Sequence, residues 1–166
     1  MKTSALKTTS STSPTKLEQR LHLSDFLLKL SNQMSAFGNL DDVLQAFVEI
    51  ATRELNVERG TIFLNDPTTN ELYSRVAQGH LRHEIRILNT SGIAGSVFTA
   101  QESLIILEPY ADPRFNPTID EQTGFVTRSI LCVPIRAGNG EVIGVAELLN
   151  KQKGRFTKVD LNLLEK

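Results

Sequence analysis

The sequence predicts an α+β domain, because the spacing of its apolar residues changes from a helical period to a strand period along the chain. Between residues 16 and 55, apolar residues recur every three or four positions, as on one face of a helix. After Val57 the period falls to two, as in a strand with one buried face. An Asn139-Gly140 pair between two such runs favours a tight hairpin between antiparallel strands.

Two helices open the predicted domain. The first carries a heptad-like stripe of apolar residues, spaced four and three apart in turn: Leu23, Leu27, Leu30, Met34 and Phe37. Gly38 ends this helix, and a second amphipathic helix follows through about Leu55. Core packing explains both helices, but the helix at 23–37 is wide enough to pack against a second copy of the chain as well. Both interpretations stay open here, and the second predicts a homodimer.

Short strands and helices alternate in the rest of the domain. Strands are predicted at 61–64, 71–77, 84–88, 103–107, 128–136 and 142–150. Helices are predicted at 92–100, at 118–124 and from Thr157 to the end of the chain. The second of these is preceded by a loop with three prolines and begins with the spacing of a capping box, Thr118-Ile119-Asp120-Glu121. We expect the last helix to continue into an output domain.

Residues 1–15 are predicted to be a disordered tail. They include nine Ser or Thr residues and no acidic residue, and only Met1 and Leu6 are large and apolar. Such a stretch buries too little apolar surface to offset the entropy that is lost on ordering. Residues 16–166 remain as one domain, a size that suits a single core.

Composition argues against several classes of protein. The net charge of −1 is unlike that of a nucleic-acid-binding surface, which needs clustered Lys and Arg. No apolar run approaches the roughly 20 residues of a membrane helix. The single cysteine, Cys132, allows neither an internal disulfide nor a Cys-rich zinc site, and its apolar neighbours indicate an inert buried thiol. We therefore expect a soluble, cytoplasmic protein that binds neither nucleic acid nor membrane.

The sequence contains none of four common motifs of catalysis. It has no Gly-rich dinucleotide fingerprint before a helix, no phosphate-binding loop with Gly-Lys-Ser/Thr, no His-Glu-x-x-His and no esterase nucleophile elbow. His80 and His83 lie three apart on a predicted loop, where that spacing does not place them on one helix face, so we interpret them as surface residues. No catalytic residue, metal or cofactor is predicted for this chain.

A binding site is predicted instead. The run at 91–96 places backbone N–H groups, with little side-chain bulk, at the start of a helix, which favours an anion such as phosphate. The Pro-rich loop and the helix after it, residues 108–127, form a long polar segment of the kind that covers ligands, and we call it the lid. Glu147 interrupts an apolar strand, so its carboxylate is expected to face solvent or to meet a donor.

Seven segments of the sequence resemble one branch of a known family. They are ERGTIFL at 58–64, IRI at 85–87, GIAG at 92–95, PYADPRFN at 109–116, TGFVTR at 123–128, ILCVPI at 130–135 and VIGVAELLNK at 142–151. They resemble the GAF domains of cyclic-nucleotide phosphodiesterases and cyanobacterial adenylyl cyclases, over about residues 20–165. The resemblance implies a six-stranded, mainly antiparallel sheet with helices on both faces, and a nucleotide enclosed under the lid.

The family signature is Asn-Lys, a spacer, Phe, three residues and Asp-Glu. The matching residues here are Asn150, Lys151, Phe156 and Asp160, and Leu161 stands where the family has Glu. The resemblance implies that Lys151 and Asp160 form a buried ion pair. That pair holds the sheet to the last helix and does not touch the ligand.

The resemblance also implies which residues surround the nucleotide. The candidate ligand-binding residues are Thr61, Arg75, Ala77, Gln78, Ile93, Ala94, Asn116, Asp120, Thr123, Thr127 and Glu147. Backbone N–H groups of Ile93 and Ala94 would meet the cyclic phosphate, and Arg75 is a candidate to lie over a base face. Gln78 stands where a cGMP-selective member is expected to have an Asp. A Gln amide both donates and accepts, so cAMP is favoured over cGMP.

The predicted function is that of a regulatory domain, which binds cAMP or cGMP and signals to an attached cyclase or phosphodiesterase. A ligand-free GAF domain that serves as a dimerisation scaffold is the alternative. Methionine sulfoxide reductases of the same fold rely on several redox cysteines, and bilin photoreceptors rely on an accessible one. Cys132 alone fits neither class.

Overall fold

A computed structural model describes residues 40–77 and 84–165 of the chain. Within these ranges the helices are α1 (Leu40–Glu54), α2 (Gly92–Ala100), α3 (Thr118–Thr123) and α4 (Lys158–Glu165), with a 3₁₀ turn at Pro109–Ala111. The strands are β1 (Val57–Asp66), β2 (Glu71–Ala77), β3 (Arg86–Leu88), β4 (Leu104–Ile106), β5 (Ile130–Arg136) and β6 (Val142–Lys151). The predicted tail at 1–15, the predicted helix at 23–37 and Gln78 lie outside the described residues.

The six strands form one sheet in the order β3-β2-β1-β6-β5-β4, and every neighbouring pair is antiparallel. The long strands β1 and β6 lie at its centre, paired from Val57 opposite Lys151 to Leu64 opposite Gly144. Gly144 is required by this close pairing, because a Cβ there would lie 2.1 Å from the backbone oxygen of Phe63. The predicted α+β class and six-stranded antiparallel sheet are confirmed.

Two apolar cores lie against the sheet. The first joins it to α1 and α4, and its buried residues include Val48, Ala51, Ile62, Leu131, Leu148 and Phe156. The second joins it to α2, and its buried residues include Phe63, Leu72, Ile93, Val97, Cys132 and Val145. Successive residues of a strand point to opposite faces, so Ile62 and Phe63 divide between the two cores. Helices therefore cover both faces, as predicted.

The hairpin predicted at Asn139-Gly140 is confirmed. It joins β5 to β6, and the backbone N–H of Ala137 donates to the carbonyl of Glu141 at 2.8 Å. Gly140 has a φ of +86°, a conformation that favours glycine in such turns.

The capping box predicted at 118–121 is wrong. Thr118 is already the first residue of α3, and it follows Pro117. The cap comes from Asn116, whose Oδ1 accepts hydrogen bonds from the backbone N–H and from Oγ1 of Thr118, at 3.0 and 2.6 Å. Asn side chains cap turns in this way over two residues, and this shifts the start of the helix.

Candidate functional site

A row of three side chains crosses the sheet on the face that packs against α2. Thr61 of β1 lies opposite Glu147 of β6, and Glu147 lies opposite Cys132 of β5. Residues that are directly opposite in antiparallel strands share a face, and Cys132 belongs to the core that contains α2. Thr61 and Cys132 are buried, and Glu147 is half-buried. The sheet thus presents a hydroxyl and a carboxyl group beneath α2.

Glu147 carries the strongest electrostatic perturbation that points to a site. Burial raises the pKa of its carboxyl group to about 7, and the nearby charge of Asp120 adds to the rise. No hydrogen bond from the described residues reaches this carboxyl group, and since no fully buried polar side-chain atom among them lacks a partner, its oxygens keep some contact with solvent. Strongly perturbed groups without a structural partner cluster at functional sites. Glu147 is therefore suited to bind a polar group of a ligand.

Burial of Cys132 is complete, as the sequence predicted. Its side chain is 0% exposed, and burial together with the charge of Glu147 raises the pKa of the thiol. A thiol that is kept protonated is a poor nucleophile. Cys132 thus serves as part of the core.

The first turn of α2 faces the same side of the sheet. Ser91 precedes the helix, and the first backbone hydrogen bond runs from the N–H of Gly95 to the carbonyl of Ser91, at 3.0 Å. The N–H groups of the residues before Gly95, among them Ile93 and Ala94, lie in the first turn, where a helix offers no acceptor. Gly95 is required, because a Cβ there would lie 2.7 Å from the carbonyl carbon of Thr90.

A cavity of about 370 Å³ lies between the start of α2 and the lid. Its lining comes from Thr90, Ser91, Gly92 and Ser96 on one side, and from 113–117 on the other. The lining is mostly polar, in keeping with the anion site that the small-residue run predicted.

Asp120 is the centre of the lid. This buried carboxylate accepts hydrogen bonds from the backbone N–H and from Oγ1 of Thr127, both at 2.8 Å, and from the hydroxyl of Tyr110 at 2.7 Å. Thr127 is also buried. Both residues were predicted as ligand contacts. The structure brings them together, but their polar groups make hydrogen bonds to each other. One acceptor position on Oδ1 is left for a ligand.

The remaining predicted ligand-binding residues do not all meet. Ala77 lies opposite Thr61 in the sheet, and Asn116 and Thr123 lie on the lid with exposed side chains. Arg75 is held elsewhere: its Nε donates to Oδ1 of Asp41, in the first turn of α1, at 2.5 Å. Because α1 packs on the other face of the sheet, this ion pair does not bring Arg75 to the row that contains Thr61.

The signature residues lie together at the end of β6. Nζ of Lys151 is 3.2 Å from Oδ1 of Asp160, and both side chains are largely buried. Oδ2 of Asp160 accepts a hydrogen bond from the backbone N–H of Thr157, and this caps α4. Phe156 is buried in the first core, and Leu161 packs against that core in place of the family's Glu. The arrangement has the geometry of the ion pair that the resemblance implied.

Asn150 has a larger structural role than the sequence indicated. It is 0% exposed, and its Oδ1 accepts hydrogen bonds from the backbone N–H groups of Arg128 and Ser129. Its Nδ2 donates to the carbonyl of Val126 and to Oε2 of Glu58. The hydrogen bond from Asn150 to Glu58, together with the hydrogen bond and charge of Arg128, lowers the pKa of Glu58. Asn150 thus ties the end of the lid to the start of β1.

Tyr110 and Glu58 are functional candidates that were not predicted from the sequence. Both lie within segments that carry the family resemblance, at 109–116 and 58–64. Their partners, Asp120 and Asn150, are 10 and 92 residues away along the chain, so spacing alone does not reveal the contacts.

Over 40–77 and 84–165, no group of three or more His, Cys, Asp or Glu side chains is placed to hold a metal ion. In the same ranges no helix has the length and apolar character needed to cross a membrane.

The sequence model of the GAF domain family matches residues 39–166. This chain belongs to the GAF domain family. The match spans the sheet, both cores and the lid, so it covers every element described above. The family assignment made from the sequence is confirmed.

Two curated relatives place this GAF domain among phosphodiesterase sequences. It is 34% identical over 156 residues to the "Probable 3',5'-cyclic phosphodiesterase pde-5" of Caenorhabditis elegans, a match that covers 86% of this chain and 21% of the relative. It is 37% identical over 123 residues to the "Dual 3',5'-cyclic-AMP and -GMP phosphodiesterase 11" of Drosophila melanogaster, which covers 64% and 8% respectively. The chain thus spans about a fifth or less of these relatives. The homology supports a small-molecule-binding regulatory domain.

Solved structures share the fold of this GAF domain. The GAF domain of a phosphoenolpyruvate-protein phosphotransferase from Coxiella burnetii superposes with a TM-score of 0.76 at 17% identity, covering 86% of each chain. That of the Acinetobacter phosphoenolpyruvate-protein phosphotransferase gives 0.71 at 20% identity, covering 89% of this chain and 85% of the other. Free methionine-R-sulfoxide reductase from Neisseria meningitidis gives 0.72 at 19% identity, covering 93% and 86%. At these identities the likeness concerns the fold alone.

Proposed function

We propose that this GAF domain binds a cyclic nucleotide between the sheet and the lid. The observation that carries the proposal is the row of Thr61 and Glu147 beneath α2, where a half-buried carboxyl group has no hydrogen-bond donor in the described ranges. A half-buried carboxyl group without a protein donor is stabilised by a ligand that brings hydrogen-bond donors of its own. A nucleotide has such donors on its ribose and base. The two phosphodiesterase relatives support this class of ligand.

The start of α2 is proposed to hold the cyclic phosphate. The N–H groups of Ile93 and Ala94 lie in a first turn, where the helix dipole favours a negative charge. The polar cavity beside the start of α2 is lined on the helix side by Ser91, Gly92 and Ser96, and on its far side by the lid. An anion there would therefore touch α2 and the lid at once.

The base is proposed to lie near Thr61 and the end of β2. Ala77 lies opposite Thr61, and Gln78 follows it directly in the chain. Asn116, Asp120, Thr123 and Thr127 are the proposed lid contacts. Arg75 is left out of the proposed contacts, because its ion pair with Asp41 holds it toward α1.

We propose cAMP as the preferred nucleotide. A Gln78 amide offers both a donor and an acceptor, and the adenine edge also has both. A carboxylate at this position would suit only the N–H groups of guanine. Gln78→Asp is therefore expected to shift the affinity ratio toward cGMP.

Regulation rather than catalysis is the proposed role. A ligand changes an attached domain only if it binds two states of its own domain with different affinity, and an open and a closed lid would supply them. The output domain, a cyclase or phosphodiesterase, and the cytoplasmic location belong to this proposal. So does a homodimer through the helix at 23–37.

Calorimetric titration with cAMP and then cGMP tests the proposal. The purified chain is first stripped of ligand, and an acid extract of the protein is analysed for nucleotide that was carried through purification. Binding of either nucleotide supports the proposal. Absence of binding by a folded chain whose extract contains no nucleotide would overturn it, in favour of the ligand-free scaffold.

Two lid variants locate the site. Asp120→Ala and Thr127→Ala are expected to lower the nucleotide affinity, because both residues are proposed to contact the nucleotide from the lid. Glu121→Ala, an exposed neighbour of Asp120 on α3, is the matched control and should bind like the wild type. Equal affinity in all four proteins would remove the lid residues from the proposed site.

A further inference from the structure

The lid contains a contact that the proposed function does not use. Tyr110 lies in the 3₁₀ turn at the start of the lid, and its hydroxyl donates to Oδ2 of Asp120 at 2.7 Å. Its ring packs on Phe115, with the centroids 5.1 Å apart and the rings inclined at 60°. Tyr110 is nevertheless 58% exposed as a residue, so burial in a core does not explain its position.

Asp120 connects this turn to two other parts of the lid. The residue lies on α3, and its carboxylate also holds the backbone N–H and the hydroxyl of Thr127, just before β5. One carboxylate thus joins the beginning, the helix and the end of the lid. Of its three hydrogen bonds, only the one from Tyr110 reaches back to the 3₁₀ turn.

We propose that Tyr110 is a positioning residue that latches the lid in its closed arrangement before any ligand binds. The latch consists of Tyr110, Asp120 and Thr127. Its effect on a nucleotide rests on the proposed function, whereas its effect on the lid itself does not.

The chemistry of the contact suits a latch. A neutral phenol donates to a carboxylate, and hydrogen bonds to charged groups are stronger than those between neutral groups. Removing the hydroxyl leaves Asp120 with Thr127 alone and frees the 3₁₀ turn from α3. The proposed open lid lacks this bond, so its removal should populate the open lid more often.

Amide hydrogen exchange on the ligand-free 166-residue chain tests the latch. Tyr110→Phe keeps the ring on Phe115 and removes only the hydroxyl. We expect the amides of 118–127 to exchange about three- to tenfold faster than in the wild type, the range that corresponds to one modest hydrogen bond. Tyr73→Phe is the matched control, because it removes the only other tyrosine hydroxyl, on β2, and should leave these amides unchanged.

A second measurement observes the contact directly. In the Tyr73→Phe protein, Tyr110 is the only tyrosine, so ultraviolet absorbance reports its ionisation alone. The hydrogen bond to Asp120 raises the pKa of the phenol from its ordinary value, with further contributions from burial and from the charges of Asp120 and Glu121. We expect Asp120→Asn in this background to lower that pKa. An ordinary phenol pKa that Asp120→Asn does not change would overturn the latch.

Nucleotide dissociation separates the latch from the proposed function. If the wild type binds a nucleotide, Tyr110→Phe should release it about three- to tenfold faster, because the lid opens more often. If the wild type binds none but Tyr110→Phe still accelerates exchange at 118–127, the latch stands and the proposed function fails. If Tyr110→Phe matches Tyr73→Phe in both exchange and dissociation, the latch is wrong.

Discussion

Glu147 lies at the centre of an antiparallel sheet, between a threonine and a cysteine on neighbouring strands. Burial raises the pKa of its carboxyl group from 4.5 to about 7. The unfolded chain loses this proton near the ordinary value, and the folded chain holds it to about neutral pH. Folding stability therefore decreases as the pH rises between these two values, and is constant above them.

Glu147→Gln should remove this loss of stability, because an amide has no proton to release. We expect the free energy of unfolding of the variant, relative to the wild type, to increase from about pH 5 to about pH 8 by at most about 3 kcal/mol. Urea unfolding of the variant and the wild type at both pH values measures this difference in the free energy of unfolding. Glu141→Gln, in the exposed β5–β6 turn, is the control, and a pH-independent difference for Glu147→Gln would contradict the assignment.

Asn150 matters because its buried side chain makes hydrogen bonds to three backbone groups, the N–H groups of Arg128 and Ser129 and the carbonyl of Val126. Replacing it with Ala leaves the N–H groups of Arg128 and Ser129 without their side-chain acceptor. It also places Ala at a φ of +63°, which Asn tolerates better.

We expect Asn150→Ala to lower the free energy of unfolding by about 3 kcal/mol, from the unsatisfied buried groups and the backbone conformation. Asn139→Ala in the exposed turn should cost less than about 1 kcal/mol. Urea unfolding of the two variants compares them. A similar small loss in both would show that Asn150 does not have the structural role described above.

At the scale of elements, α4 is attached to the sheet by the Lys151–Asp160 ion pair and by apolar contacts. The two charged side chains are 15% and 12% exposed, so removal of either one leaves a largely buried charge. Leu161 packs on the first core where the family has Glu, which adds apolar contact to the same attachment.

Lys151→Met should therefore destabilise the chain by about 2–4 kcal/mol and accelerate amide exchange in α4. Lys158→Met, an exposed lysine at the start of the same helix, should change either quantity little. Urea unfolding and exchange mass spectrometry measure both effects. If exchange in α4 were unchanged by Lys151→Met, the apolar contacts alone would hold the helix.

For the whole molecule, we predict a homodimer through the helix predicted at 23–37, which lies outside the described residues. If that helix forms a dimer interface, a charge in its apolar stripe should separate the protomers. We expect Leu27→Lys with Leu30→Lys to convert a dimer to a monomer in sedimentation velocity. Lys29→Glu, between them in the chain but off the stripe, is the control. A wild type that is already monomeric would contradict the homodimer.

Local patterns predicted the parts of the fold that short-range physics controls. The β2 strand at 71–77, the α2 helix at 92–100 and the hairpin at Asn139-Gly140 all depend on residues a few positions apart. The capping box predicted at Thr118 was wrong, although it too rests on residues a few positions apart. Asn116 can also cap this helix, and spacing alone does not tell which of the two residues does so. Thr157 and Asp160, without such a competitor, do open α4.

Apolar periodicity along the sequence predicted the α+β class, and the resemblance of its short motifs to GAF domains implied the family, the antiparallel sheet and the signature residues, because both kinds of pattern are written along the chain. Tertiary structure decided what each polar residue binds. Asp120 meets Tyr110 and Thr127 instead of standing free, Arg75 pairs with Asp41 across the chain, and Asn150 reaches Glu58. A side chain's partners depend on which faces the packing brings together, and distances along the sequence do not record that.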